Sequence, residues 1–141
     1  MTVVRAAAVA GSFYPSAAPD LRRTLAGHLA SATAFARGDG GRPPKLLLVP
    51  HAGYVYSGEV AAMAYATLAP WRARLRRVVL LGPVHRVAVR GLAVPTVDAF
   101  QTPLGSVPLD RAALDSLRDL PQVGFNDLPH AQEHSLEVQL P

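Results

Sequence analysis

The sequence predicts an α/β fold in which a mostly parallel sheet is flanked by helices. Two short aliphatic runs, residues 45–49 and 78–81, lie next to Gly and Pro and are typical of buried parallel strands. Between them, residues 57–69 have the composition of a helix, with Ser57 in the N-cap position. Such a βαβ unit brings the carboxyl ends of both strands to the same edge of the sheet.

Weaker patterns along the chain predict the remaining elements. An initial strand and a later edge strand are expected over residues 2–10 and 91–97, and two further helices over residues 21–35 and 109–120. The first of these helices has Pro19 and Asp20 near its start, which favours a helix N-terminus there. With 141 residues, half of them hydrophobic, the chain has the size and apolar content of one domain.

The composition argues against two classes of partner. The formal net charge is +4, but the basic residues are nearly all arginine and Lys45 is the only lysine. The densest basic cluster, residues 72–77, has Trp71 as its only aromatic neighbour and so lacks a stacking platform for nucleic acid. No apolar run approaches the roughly 20 residues of a membrane span. We therefore expect neither nucleic acid nor a membrane as partner.

The chain contains no cysteine. Disulfides and thiolate metal ligands within it are therefore excluded, and a reducing, cytoplasmic location is expected.

Each of the two predicted buried strands is followed by a histidine. His51 comes after Pro50, and His85 comes two residues after Pro83. Ligands of open α/β sheets bind at the carboxyl ends of the strands, so both imidazoles are expected in one crevice. Strands about 4.8 Å apart allow two histidines to bind one metal ion with bonds of about 2.1 Å. The alternative is that the histidines cap strand ends and contact loop carbonyls.

A second histidine pair lies near the end of the chain. His130 and His134 are four residues apart and would share a face on a helix. Glu133 precedes the second histidine, so the pattern differs from the metalloprotease motif. Taken alone, the pair is more consistent with exposed or capping side chains than with a metal site, and His28 is given no role.

Five segments together resemble the N-terminal half of a Memo-like protein, the system protein B of the AmmeMemoRadiSam grouping. The resemblance covers essentially the whole chain and rests on the segments AGSFYP, PHAGY with YSG, LGPVH, TPLG and EHSLE, at residues 10–15, 50–58, 81–85, 102–105 and 133–137. It implies an extradiol-dioxygenase-like fold that holds a non-haem ferrous ion. Residues 1–141 would then be the N-terminal part of a single domain whose C-terminal half, with a third metal ligand, lies outside this chain.

The resemblance implies His51 and His85 as metal ligands and adds Glu133 and His134 to the surroundings of the site. Tyr54 is assigned to the same catalytic group, whereas Tyr56 is expected to pack under the loop. The implied cofactor is Fe(II), with copper or zinc as alternatives. The implied function is redox or dioxygenase-like chemistry on an unidentified small molecule or peptide, and the implied partners are radical-SAM and AMMECR-type proteins. The competing hypothesis is a non-catalytic module that binds a peptide or an anion in the same crevice.

Overall fold

The computed structural model describes residues 1–33 and 42–141. The predicted end of the first helix at Phe35 lies outside these residues, as does most of the connection at residues 37–44.

Two helices of three to four turns form one layer of the fold. Helix α1 spans Ala18–Ser31 and helix α2 spans Tyr54–Ala66. Small side chains let the two helices approach closely, and the buried alanines Ala32, Ala62 and Ala66 form a cluster between them. Helix α2 begins three residues earlier than predicted, with Gly53 as the N-cap. Ser57 is therefore not the cap, and its hydroxyl donates to the carbonyl of Ala52 at 3.1 Å.

The strands form one mixed sheet and one small parallel sheet. Strand β1 (Val4–Arg5) pairs parallel with β3 (Ala99–Thr102), and β3 pairs antiparallel with β4 (Gly105–Pro108). Strand β2 (Leu92–Val94) pairs parallel with β5 (Val123–Phe125). The short helices α3 and α4 cover Arg111–Asp115 and Leu128–Ala131. The molecule is therefore α/β, with mixed and parallel sheets flanked by helices.

The predicted βαβ unit is wrong in its strands. Residues 45–49 and 78–81 are not part of any sheet within the described ranges. Many of their side chains face solvent, with Leu48 94% and Val79 77% exposed. The aliphatic pattern is that of a buried parallel strand, but a strand forms only where a neighbour pairs with its backbone and both faces are covered. No neighbouring strand is present among the residues described.

The other predicted elements are present but shorter. The initial strand is reduced to β1, the later edge strand to β2, and the last predicted helix to α3. Asp110 caps α3 by accepting a hydrogen bond from the Ala113 amide at 3.0 Å. None of the helices in the described part of the chain has the length and apolar character needed to cross a bilayer.

The main core cluster joins the two ends of the chain. Val9, Tyr14 and Leu21 from the N-terminal part pack with Val138, which lies in a 3-10 turn at Glu137–Gln139. This contact brings residues 130–139 against the start of the fold, and the candidate site is built on that segment.

Candidate metal centre

Three histidines from distant parts of the chain converge on one point. One nitrogen each of His51, His85 and His134 lies within 4.8 Å of the other two. The ring centroids of His85 and His134 are 4.5 Å apart and the rings are stacked, while the His51 centroid lies 5.3 Å from that of His85. The pairing of His51 with His85 agrees with the sequence prediction. The imidazole of His134 lies beside this pair, whereas the family resemblance placed His134 only in the surroundings of the site and a third metal ligand outside this chain.

The Glu133 carboxylate fixes the orientation of His85. Its Oε1 lies 2.8 Å from Nδ1 of the His85 ring, and its Oε2 accepts from the His85 backbone amide at 2.6 Å. An ionised carboxylate only accepts, so Nδ1 carries the proton and Nε2 is left free to bind a ligand. A carboxylate behind a histidine in this way is the usual partner of a metal-binding imidazole.

Hydrogen bonds also determine the charge of the Glu133 carboxylate. Burial by itself raises its pKa, but the bonds from His85, Ser135 and His134 outweigh burial and lower the pKa to about 2. The carboxylate is therefore ionised at neutral pH.

The pKa of His134 is lowered, chiefly by burial, with the neighbouring His85 and His51 acting in the same direction. A neutral imidazole is the form that binds a metal ion.

The segment 133–139, and not a sheet as predicted, connects the segments that carry His51 and His85. The Ser135 hydroxyl donates to the carbonyl of Pro83 at 2.7 Å, and the Gln139 side-chain amide donates to the carbonyl of Pro50 at 3.0 Å. Gly82 permits the close approach, since a Cβ there would lie 2.9 Å from both Ser135 Oγ and Leu136 Cδ2.

A small cavity of about 370 Å³ opens beside His51 and His134. Phe13 and Tyr56 are its aromatic walls, and the Phe13 ring lies 4.4 Å from that of His134 between centroids. The prediction that Tyr56 packs under the loop is wrong, because this residue is 85% exposed. The site thus has an open side bordered by aromatic rings.

Two other residues considered from the sequence lie away from the cluster. The Tyr54 hydroxyl donates to the carbonyl of Val138 at 2.9 Å, and burial raises its pKa to about 12. The catalytic role assigned to Tyr54 stays a prediction, and its hydroxyl has a structural partner. Helix α4 ends at Ala131, so His130 and His134 do not share a helix face. His130 Nε2 instead lies 3.1 Å from the carbonyl oxygen of Ala93.

The sequence pattern did not indicate two residues that shape this site. Phe13 packs on His134, and Arg5 binds the carbonyl oxygen of Glu133 at 2.8 Å. Both lie more than a hundred residues from their partners, and no local pattern links them.

Comparison with known proteins identifies relatives across almost the whole chain. The model of the family described as Memo-like protein matches residues 5–141. A MEMO1 family protein of Aquifex aeolicus is 37% identical over 142 residues, covering 98% of this chain and 48% of the relative. A MEMO1 family protein of Ignicoccus hospitalis is 39% identical, covering 99% of this chain and 50% of the relative.

A vertebrate protein is similar to the same extent. Protein MEMO1 of Xenopus tropicalis is 37% identical over 141 residues, covering 97% of this chain and 44% of the relative. The chain therefore spans about half the length of the curated relatives it matches.

Proposed function

Because this chain belongs to the Memo-like protein family, we propose that it binds a divalent metal ion between His51, His85 and His134. The observation that carries the proposal is the convergence of three imidazole nitrogens within 4.8 Å, one of them on a ring oriented by a buried carboxylate. The described residues contain no comparable group of His, Cys, Asp or Glu elsewhere.

The donor set fits a metal ion. Nitrogens bound to one ion at about 2.1 Å lie roughly 3–3.5 Å apart, so rings with ligand atoms spanning up to 4.8 Å need to close only modestly. The His85 side chain is 40% exposed, which leaves it room for that rotation. Imidazole nitrogens suit iron, copper and zinc. We propose Fe(II) as the resident ion, as the family resemblance implies, with copper and zinc as alternatives.

The protein groups around the three histidines define what the site can do. Glu133 holds the proton of His85 at Nδ1 and keeps Nε2 free. The cavity beside Phe13 and Tyr56 admits a small molecule next to the ligand nitrogens of His51 and His134. A bound metal ion would supply Lewis-acid or redox chemistry to that molecule. We propose redox or dioxygenase-like activity on this basis. From the family resemblance alone, we also propose a cytoplasmic location and association with radical-SAM and AMMECR-type proteins.

Metal content tests the proposal directly. The protein is purified without oxygen, and its metals are measured by mass spectrometry beside His51→Ala, His85→Ala and His134→Ala. Near-stoichiometric iron that is lost in all three variants is the expected result. The control is His28→Ala, which removes an imidazole from the interface of α1 and α2 and should leave the metal content unchanged.

Other outcomes separate the alternatives. Metal retained in His134→Ala but lost in the other two variants would return His134 to the surroundings of the site. Metal that is absent from the unsubstituted protein, or unchanged in every variant, would contradict metal binding and leave the peptide- or anion-binding module as the hypothesis to pursue.

A further inference from the structure

A buried ion pair joins the first strand to the end of the described fold. The Arg5 guanidinium binds the Glu137 carboxylate, and their side chains are 7% and 0% exposed. Desolvating two charges costs free energy that their attraction often only offsets, so a buried pair is weak evidence for stability.

All three nitrogens of the Arg5 guanidinium bind one segment, residues 130–137. Nε donates to the carbonyl of His130 at 2.7 Å, Nη2 donates to the carbonyl of Glu133 at 2.8 Å, and Nη1 donates to the Glu137 carboxylate. The guanidinium is a rigid planar fork, so three bonds from it fix three points of the segment relative to one another. Glu133 carries one of these points, and His134 lies between it and Glu137.

Glu137 extends the connection to the N-terminal segment, residues 8–14. Its carboxylate accepts from the backbone amides of Ala8 and Val9 at 2.9 Å each and from the Tyr14 hydroxyl at 2.6 Å. Burial alone raises the pKa of Glu137, but the hydrogen bonds from Tyr14, the two amides and Arg5 together lower it. The Glu137 carboxylate is therefore a buried anion whose hydrogen-bond donors are Arg5, two backbone amides and the Tyr14 hydroxyl.

Phe13, next to Tyr14, contacts His134 directly and the His51 segment through Tyr54. Its ring packs on the ring of His134 with centroids 4.4 Å apart. Its carbonyl accepts from the backbone amide of Tyr54 at 2.8 Å, three residues after His51. Residues 8–14 therefore contact both the His51 and the His134 segments.

We propose that the Arg5–Glu137 pair is a positioning device for the metal centre, which sets the His134 and Glu133 segment against residues 8–14 and, through Phe13, against His51. This inference rests on the proposed function and deepens it. Arg5 and Glu137 act at a distance, because neither residue contacts the point where the ion would bind. Charge neutralisation alone does not account for the arrangement, since Arg5 uses two of its three nitrogens on backbone carbonyls.

The test uses Co²⁺ as a spectroscopic probe with Arg5→Lys. Lysine keeps the positive charge but concentrates its donors on one nitrogen, so it cannot reach three separate acceptors. We expect Co²⁺ affinity to fall at least about tenfold, as for other residues that orient ligands. We also expect the visible absorption of the Co²⁺-saturated variant to differ from that of the unsubstituted protein.

The matched control for lost stability is Val97→Ala, which truncates a buried side chain outside the network. Its Co²⁺ affinity should stay within about twofold, since Val97 makes none of the hydrogen bonds that join Arg5 and Glu137 to their neighbours. If Arg5→Lys fails to fold, Tyr14→Phe removes one bond to Glu137 and should lower the affinity by about two- to tenfold. Unchanged affinity and absorption in a folded Arg5→Lys or Tyr14→Phe would overturn the proposal.

Amide hydrogen exchange separates this proposal from the proposed function. If the unsubstituted protein binds no Co²⁺, the metal centre fails, and the positioning role is read from the metal-free protein. Faster exchange at residues 133–135 in Arg5→Lys, but not in Val97→Ala, would support that role. Equal exchange in the unsubstituted protein and Arg5→Lys would overturn it.

Discussion

The Glu133 carboxylate accepts four hydrogen bonds, from the ring and amide of His85 and from the amides of His134 and Ser135. It is 5% exposed, and each donor belongs to a segment that carries or adjoins a candidate ligand. The family resemblance placed Glu133 in the surroundings of the site, but only the fold shows that its carboxylate binds His85.

Glu133→Gln tests that action. The amide retains the size of the side chain, but its NH₂ group faces backbone donors and no longer attracts the Nδ1 proton of His85. We expect affinity for a divalent ion to fall about 10- to 100-fold, measured by competition with a chromogenic chelator. Glu59→Gln, an exposed change on α2, is the control. Equal affinity in the two variants would show that Glu133 does not orient a ligand.

The directions of the Tyr54 and Tyr56 side chains could not be predicted from the sequence. Two residues apart at the start of a helix, they point to different sides, since successive helical positions rotate by about 100°. Tyr54 turns into the core and Tyr56 turns to solvent beside the candidate site. Both follow His51 closely, so sequence distance alone could not separate them.

At the scale of elements, the segment 133–139 holds the His51 and His85 segments together, which a parallel sheet was predicted to do. Parallel strands were expected to bring His51 and His85 to a common edge. In the structure, side chains of Ser135 and Gln139 bind the carbonyls of Pro83 and Pro50 instead. The two histidines therefore do lie close together as predicted, although the strand pairing from which their convergence was predicted is absent from the residues described.

Gly82→Ala tests the close packing of these segments. The added methyl group would lie 2.9 Å from Ser135 and Leu136, so residues 82–85 must move away from them. We expect a loss of about 1–3 kcal/mol in the free energy of unfolding, measured with urea, together with weaker metal binding. Gly27→Ala in α1 meets no atom within 4 Å and should stabilise the protein slightly. Unchanged unfolding and metal binding in Gly82→Ala would contradict the packing.

At the scale of the whole molecule, the exposed aliphatic runs stand out. Residues 45–49 and 78–81 have no backbone hydrogen bonds to other described residues, and several of their side chains face solvent, among them Leu46 at 80% and Leu81 at 77% exposure. The chain spans about half the length of its relatives. We propose that these runs are inner strands of a larger sheet, paired by polypeptide that corresponds to the half of the relatives not matched here.

Hydrogen exchange tests this proposal. The half of the Aquifex aeolicus relative that this chain does not match is added as a separate polypeptide. We expect the amides of residues 46–48 and 78–81 to be unprotected in the chain alone and protected in the complex, because pairing satisfies their backbone groups. Val79→Asp should weaken the complex, whereas Leu128→Asp, a change at an exposed apolar residue in α4, should not. Absence of a complex, or a complex without protection at these runs, would contradict the proposal.

The sequence by itself predicted the α/β class and the two longer helices from local periodicity. It also predicted the convergence of His51 and His85, but by way of strands that the described residues do not form. The tertiary structure alone decided that His134 joins the pair, that Glu133 orients His85, and that Arg5 and Phe13 support the segment carrying both. These contacts join residues 48 to 132 positions apart. Local sequence patterns carry no information on such separations, and packing of the two chain ends in one core brings them together.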